Sequence, residues 1–217
     1  MSQIKAVIFD LDGTLANTLP LCISAFRNSI EPLINRSVSD EEIIATFGPS
    51  EEGTILALAP DEYDKGVAAY LKFYEELHQI CPDPFVGIKE ILDNLKQNDI
   101  HISMVTGKGR KSAMISLDKF GLTPYFAQIE TGLPTGPSKA LGIQNILDTF
   151  TNIEKSEVIY VGDVPSDVTA SRKVGIPIVS AAWAETAEPE KLVEMEPDFI
   201  FYTVEEFGSW LKTVING

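Results

Sequence analysis

The chain has 217 residues, of which 44% are hydrophobic and 23% are charged, a composition that is typical of an ordinary globular protein and excludes collagen, low-complexity sequence and disorder. Its formal net charge of −15 argues against a nucleic-acid partner, because contacts with phosphate backbones need dense Lys and Arg. No apolar run approaches the roughly 20 residues that a membrane span requires, so no membrane partner is expected.

The two cysteines, Cys22 and Cys81, lie far apart and lack the spacing of a metal site. The first apolar stretch, residues 4–9, is too short for a secretory signal. Both observations favour free thiols in a reducing compartment, and we therefore expect a cytoplasmic protein. The sequence does not distinguish a monomer from a homodimer.

Short apolar runs without polar alternation predict strands that are buried on both faces, as in a parallel sheet. Five such runs occur, at residues 6–9, 102–105, 158–161, 176–179 and 199–202. Segments with helical periodicity or helix-end signals lie between them, at residues 88–95, 110–120, 139–150 and 167–174. This alternation predicts an α/β fold with helices on both faces of a parallel sheet.

The interval between residues 9 and 102 breaks the alternation, since it contains no convincing strand. Apolar stripes at helical spacing occur instead, at residues 41–47 and 67–77. We therefore expect an inserted helical domain at residues 16–84, which we call the cap. Residues 1–15 and 85–217 are expected to form the sheet domain, which we call the core.

Polar residues follow three of the predicted strands, at the edge where open α/β sheets bind ligands. They are Asp10 and Asp12 after the first strand, Thr106 and Lys108 after the second, and Asp163 and Asp167 after the third. Lys139 stands at the start of the helix that precedes the third strand. Carboxylates gathered at one edge repel each other and need a cation. Oxygen ligands without a Cys or His cluster favour Mg²⁺.

The positions of these residues predict their roles. Asp10, nearest the strand, is the predicted nucleophile toward phosphorus, which would give an aspartyl-phosphate. Asp12 would transfer a proton to the leaving oxygen and then take one from the attacking water. The Thr106 hydroxyl would donate to phosphate oxygens, and the Lys139 ammonium would offset the charge that develops during transfer.

Further residues are weaker candidates for contacts with the substrate. Backbone N–H groups near Leu11 and Gly107 can donate to phosphate oxygens, and Lys108 is the best candidate side chain. Residues 48–53, rich in Gly and Pro, form either a loop that closes over the site or an ordinary interhelical loop. Side chains expected to be structural, exposed or only weakly connected with the site are Arg27, Arg36, His78, His101, Arg110 and Trp183.

Four motifs in order resemble those of the haloacid dehalogenase superfamily, over essentially the whole chain. DLDGTL at residues 10–15 resembles the first motif, TGK at residues 106–108 the second, Lys139 the third, and GDVPSD at residues 162–167 the fourth. Two departures are that Lys139 is not followed by Pro, and that Asn17 stands where many relatives carry Asp.

The resemblance implies a Rossmann-like core with a helical cap inserted after the first strand, as in the subgroup of phosphoglycolate phosphatase and β-phosphoglucomutase. It further implies that Mg²⁺ is bound by the carboxylate of Asp10, the backbone carbonyl of Asp12 and the carboxylate of Asp163. Asp167 is then either a ligand or a residue that supports the ligands.

We expect a Mg²⁺-dependent phosphatase that hydrolyses a small phosphorylated metabolite, similar to phosphoglycolate, through an aspartyl-phosphate. Alternatives on the same scaffold are a phosphosugar mutase, an inorganic pyrophosphatase and a less favoured dehalogenase. An alternative of another class is a phospho-accepting receiver-type signalling domain, which the large insertion and the Asp10–Asp12 pair disfavour. The sequence does not name the substrate.

Overall fold

The computed structural model describes residues 3–215, and its centre is a six-stranded parallel sheet in the order β3-β2-β1-β4-β5-β6. The strands are β1 Ala6–Phe9, β2 His101–Val105, β3 Gln128–Glu130, β4 Val158–Gly162, β5 Ile178–Ala181 and β6 Phe199–Phe201. The helices are α1 Leu19–Ile34, α2 Asp40–Ile44, α3 Glu51–Leu58, α4 Tyr63–Glu76, α5 Ile88–Gln97, α6 Arg110–Phe120, α7 Lys139–Leu147, α8 Pro165–Val174, α9 Pro189–Glu194 and α10 Val204–Ile215. The predicted α/β fold is therefore confirmed.

The central strand β1 shows why the sequence forms a sheet with two covered faces. All four of its side chains are buried. Val7 and Phe9 belong to one apolar cluster, whereas Ala6 and Ile8 belong to a second. Because successive side chains of a strand point to opposite faces, the two clusters lie on opposite sides of the sheet.

All regular elements between β1 and α5 are helical, in agreement with the missing strand signals there. Helix α1 packs on α4, with the ring centroids of Phe26 and Tyr70 4.3 Å apart. The backbone N–H of Phe85 donates to the carbonyl of Leu15 at 2.9 Å. The predicted entry and exit of the cap thus lie side by side, as an insertion between two core segments requires.

Some element boundaries differ from those expected. The edge strand β3 was not predicted, because its three residues are only partly buried and Gln128 and Glu130 give no apolar run. Strand β5 begins at Ile178 rather than at residue 176, because Pro177 has no N–H for the ladder. Helix α7 ends at Leu147, and a turn follows instead of the last predicted helical residues.

Two further features bear on the expectations about membranes and thiols. Among residues 3–215, no helix combines the length and the apolar character needed to cross a membrane. Cys22 and Cys81 are both buried free thiols. Burial raises the pKa of the Cys22 thiol to about 11, which keeps it protonated at neutral pH.

Candidate active site

The carboxyl ends of the neighbouring strands β1, β2 and β4 bring the predicted residues to one edge of the sheet. Asp10 directly follows β1, and its backbone N–H donates to the carbonyl of Val161 in β4 at 2.8 Å. Thr106 directly follows β2, and Asp163 directly follows β4. Asp10 and Thr106 are almost fully buried, with exposed fractions of 3% and 1%.

Three carboxylates form one cluster at this edge. Asp10, Asp163 and Asp167 each offer an oxygen atom within 4.8 Å of the others. Gly13 makes this approach possible, because a Cβ at that position would lie 2.0 Å from Oδ2 of Asp163. Its positive φ of 73° also suits glycine. The cluster supplies only hard oxygen donors, which is the ligand set that Mg²⁺ prefers.

Lys139, at the first position of α7, is the cation of the cluster. Its Nζ lies 2.5 Å from Oδ2 of Asp10 and 2.5 Å from Oδ1 of Asp167. Asp167 is fully buried and also accepts hydrogen bonds from the Tyr160 hydroxyl at 3.0 Å and the Val164 backbone N–H at 3.1 Å. These contacts fix the Asp167 carboxylate beside Lys139.

The electrostatics of the cluster follow from burial and crowding. Burial raises the pKa of Asp10 to about 6, although the adjacent Lys139 ammonium opposes the rise. Burial and the charges of Asp10 and Asp167 raise the pKa of Asp163 well above its usual range. Burial alone would lower the pKa of Lys139, but the surrounding carboxylates outweigh it and raise that pKa. One lysine therefore does not neutralise the three acids.

Asp12 has different hydrogen-bond and ion-pair partners from the three acids of the cluster. Its Oδ1 accepts a hydrogen bond from the Thr18 hydroxyl and lies 3.2 Å from Nζ of Lys108. Its carboxylate is thus separate from the cluster of three acids. Lys108 is buried, with Nζ 4.5 Å from the ring centroid of Tyr74 and 3.1 Å from Sγ of Cys22. The predicted proton donor and the predicted substrate lysine therefore form one ion pair.

The loops after β1 and β2 also contain the remaining predicted residues. The Leu11 backbone N–H donates to Oδ1 of Asp10 at 2.7 Å, which orients that carboxylate. The Thr106 hydroxyl accepts a hydrogen bond from the Lys108 backbone N–H at 3.2 Å. Gly107 packs so closely on Gly132 that a Cβ on Gly132 would lie 1.8 Å from the Gly107 carbonyl oxygen.

The weaker candidates lie mostly outside the cluster. Arg27 pairs with Asp40, and Arg36 pairs with Glu42, all on the surface. His78 is buried, as a structural residue would be, and its Nε2 lies 3.1 Å from the hydroxyl of buried Ser116. His101 is exposed and contacts the ring of Phe150. The indole N–H of Trp183 donates to the carbonyl of Thr14 at 3.1 Å, next to the first motif.

Two residues near the site were not found from the sequence. The Tyr160 hydroxyl contacts Asp167, but a Tyr inside an apolar strand looks like any core residue. Glu51 was expected in a loop of residues 48–53 but is the first residue of α3. It is buried and accepts hydrogen bonds from the Gly109 N–H and the Ser112 hydroxyl, both at 2.6 Å. An acidic residue after a Ser at a helix start gave no signal of this contact.

Comparisons with known proteins agree with this arrangement. The model of the family described as haloacid dehalogenase-like hydrolase matches residues 7–181. Pyrophosphatase PpaX of Bacillus pumilus is 30% identical over 201 residues, which cover 92% of each chain. Pyrophosphatase PpaX of Listeria monocytogenes is 29% identical over 202 residues, or 91% of this chain and 92% of that protein.

Solved structures share the whole fold. A haloacid dehalogenase-like family hydrolase from Streptococcus pneumoniae has a TM-score of 0.76 at 25% identity, with 95% of this chain and 98% of that chain covered. A hydrolase from Pseudomonas syringae has a TM-score of 0.74 at 18% identity, with 96% and 98% covered. The chain therefore belongs to the haloacid dehalogenase-like hydrolase family, and it is a hydrolase that acts on phosphate esters.

Proposed function

We propose that this phosphatase hydrolyses a small phosphorylated metabolite by attack of the Asp10 carboxylate on phosphorus. The observation that carries this proposal is the position of Asp10, buried at the end of the central strand and held by the Leu11 N–H and the Lys139 ammonium. A carboxylate fixed in this way needs little reorganisation before it forms a bond to phosphorus. The product of the attack would be an aspartyl-phosphate.

The residues present fit a divalent cation. Asp10, Asp163 and Asp167 would hold Mg²⁺ through carboxylate oxygens, and the family resemblance adds the backbone carbonyl of Asp12. Burial raises the pKa of Asp163 first, and the neighbouring charges of Asp10 and Asp167 raise it further, although the Lys139 ammonium opposes them. When bound, the ion would supply positive charge to the phosphoryl oxygens.

The remaining side chains have separate roles in the proposed reaction. Lys139 holds one oxygen of Asp10 and offsets the charge on the phosphoryl group. Asp12 turns from Thr18 toward the substrate and protonates the leaving oxygen. It then takes a proton from the water that hydrolyses the aspartyl-phosphate. The Thr106 hydroxyl donates to a phosphoryl oxygen, and its burial excludes competing water.

The surroundings of Lys108 favour a substrate whose leaving group is itself an anion. Its ammonium lies 3.2 Å from Asp12, the proposed proton donor, and hence beside the expected position of the leaving oxygen. If the leaving group carries a carboxylate beside Lys108, the substrate is similar to phosphoglycolate. If the leaving group is a second phosphate, the substrate is pyrophosphate, which is our second candidate because PpaX relatives are about 30% identical to this chain.

The phosphosugar mutase and the signalling domain have less support. A mutase requires a phosphoenzyme that survives until the intermediate rebinds, and a coupled assay with a hexose phosphate would detect it. Membership of the hydrolase family disfavours the receiver-type signalling domain.

We also propose a cytoplasmic location, because the free thiol of Cys22 lies beside the Lys108 ammonium and suits a reducing compartment.

The experiment that tests the proposal is a screen of phosphorylated metabolites with Mg²⁺, repeated with Asp10→Asn. This substitution should lower kcat by about four orders of magnitude or more, because the amide is not a nucleophile. Asp148→Asn, which changes an exposed carboxylate away from the site, is the matched control and should retain activity. Activity of Asp10→Asn within about tenfold of wild type would refute the role of Asp10.

A further inference from the structure

Glu51 is a buried carboxylate that the proposed reaction does not use. It is the first residue of α3 and has an exposed fraction of 5%. Its two oxygens accept hydrogen bonds from the Gly109 backbone N–H and the Ser112 hydroxyl, both at 2.6 Å. Both donors belong to the N-terminal turn of α6, in the predicted core, whereas α3 lies in the predicted cap.

The N-terminus of α6 depends on this contact. Gly109 is its N-cap residue and has no side chain, so α6 lacks a cap of its own. The first backbone N–H groups of a helix have no partner within the helix and favour a negative charge. The Glu51 carboxylate provides this negative charge and accepts from the Gly109 N–H, although it lies 58 residues earlier in the chain.

The contact also reaches the loop of residues 106–108, which we call the substrate loop because it is the proposed phosphate-binding loop. Gly109 follows Lys108 directly, and the Lys108 backbone N–H donates to the Thr106 hydroxyl. The Lys108 carbonyl accepts from the Gly132 N–H at 2.7 Å, and the Ser50 N–H donates to the Leu133 carbonyl at 3.0 Å. Residues 50 and 51 therefore contact the surroundings of the Thr106–Lys108 loop on two sides. Glu51 accepts from Gly109 on one side, and Ser50 donates to Leu133 next to Gly132 on the other.

The arrangement is a closed one. Asp10 is 3% exposed and Thr106 is 1% exposed, so the surrounding segments cover both residues. Binding of a phosphate ester would require these segments to move apart. Opening between α3 and α6 would separate Glu51 from Gly109 and leave the first turn of α6 uncapped. Closing would restore the cap and order the substrate loop in the same step.

We propose that Glu51 is a positioning residue that couples closure of the cap to the order of the Thr106–Lys108 loop. It does so by capping α6 from the opposite side of the closed site. This role rests on the proposed function, because the loop that it orders is the proposed phosphate-binding loop. The capping contact itself is testable without any turnover.

Gly109 offers an independent way to break the contact. A Cβ at this position would lie 2.6 to 2.8 Å from the Glu51 carboxylate atoms. Its φ of −67° and ψ of 157° are suitable for alanine, so Gly109→Ala expels the carboxylate without straining the backbone. In the Glu51→Ala background the same methyl group has room. The two substitutions should therefore not add.

The experiment is hydrogen exchange of the amides at residues 109–113 in the full chain with Mg²⁺. Glu51→Ala and Gly109→Ala should each raise the exchange rate about tenfold or more, because a charge-assisted hydrogen bond is lost. The double variant should match Glu51→Ala. Glu52→Gln, whose carboxylate accepts from Ser50 instead of α6, is the control and should match wild type. Unchanged exchange in Glu51→Ala, or additive effects, would overturn the proposal.

A kinetic readout separates positioning from simple structural support. With p-nitrophenyl phosphate, Glu51→Ala should raise KM about tenfold and lower kcat by less than about threefold, because the binding loop is disordered while Asp10 stays in place. A fall in kcat with an unchanged KM would contradict the proposal. If Asp10→Asn also leaves turnover intact, the proposed chemistry fails, while the exchange measurement still decides the role of Glu51.

Discussion

Nζ of Lys139 lies 2.5 Å from Oδ2 of Asp10, although 129 residues separate the two in sequence. The sheet brings them together, because Asp10 ends the central strand and Lys139 begins a helix that packs on β2 and β3. A lysine in this position offsets the charge of the nucleophile before the attack and that of the phosphoryl group during it. The effect of Lys139 on the reaction can be measured as kcat, and its effect on the buried carboxylates can be measured as the free energy of unfolding.

Lys139→Met should lower kcat by about two to three orders of magnitude, because charge stabilisation in a buried site is lost. It should also lower the free energy of unfolding by about 3 kcal/mol or more in the metal-free protein, since Asp10 and Asp167 lose their buried counter-charge. Steady-state kinetics and urea denaturation measure the two effects. Lys173→Met, at an exposed position, should change neither; a kcat of Lys139→Met close to that of wild type would contradict the assignment.

The stability of the metal-free protein should fall as the pH rises. Burial raises the pKa of Asp10 to about 6 from its ordinary value of 3.8, so the native state keeps a proton that the unfolded chain has already lost. The free energy of unfolding therefore decreases between about pH 4 and pH 6, and the raised pKa of Asp163 extends the decrease upward. Calorimetry with EDTA should give a lower Tm at about pH 8 than at pH 5, and a smaller difference for Asp10→Asn. A Tm that rises over this range would contradict the expectation.

The stabilisation by Mg²⁺ should have the opposite pH dependence. At about pH 5 the ion must displace protons from Asp10 and Asp163, whereas at pH 8 the carboxylates are closer to ionised. We expect the increase in Tm on addition of Mg²⁺ to be larger at pH 8. An equal or larger increase at pH 5 would show that these carboxylates do not bind the ion.

Asp163 and Asp167 should differ in what they contribute. Asp163→Asn should weaken Mg²⁺ binding at least tenfold without lowering Tm, because its carboxylate contacts the Thr14 hydroxyl only at 3.4 Å and burial disfavours its charge. Asp167→Asn should weaken binding and also lower Tm, since Asp167 pairs with Lys139 and accepts from Tyr160. Isothermal titration and calorimetry test this, and a reversed order of the two Tm values would contradict it.

Lys108→Met should distinguish substrates by the charge of their leaving group. The KM for pyrophosphate or phosphoglycolate should rise about tenfold or more, because the cation beside Asp12 is lost. The KM for p-nitrophenyl phosphate should change by less than about threefold, since its leaving group has no second anion. Lys111→Met, at an exposed position nearby, is the control. Equal effects on all substrates would remove Lys108 from substrate recognition.

The parts of the fold that follow from local sequence could be predicted. The apolar runs at β1, β2 and β4 are recognisable because strands buried on both faces leave no alternating pattern. The residues that directly follow these runs, Asp10, Thr106 and Asp163, could therefore be placed at one edge of the sheet. The polar edge strand β3 could not be recognised because edge position, rather than composition, makes it a strand.

The parts that depend on contacts between distant segments were not predictable. The pairing of Asp12 with Lys108, and of Glu51 with α6, joins residues 96 and 58 positions apart. Composition and periodicity indicate which residues are buried, but they do not say which buried residues meet.

The most direct test of the central claim is mass spectrometry of the protein after acid quench within the first turnovers. With Mg²⁺ and a substrate from the screen, the peptide that contains Asp10 should carry a phosphoryl group on the Asp10 carboxylate, and Asp10→Asn should carry none. Turnover without any phosphorylated Asp10, or a phosphoryl group on a different residue, would contradict the account.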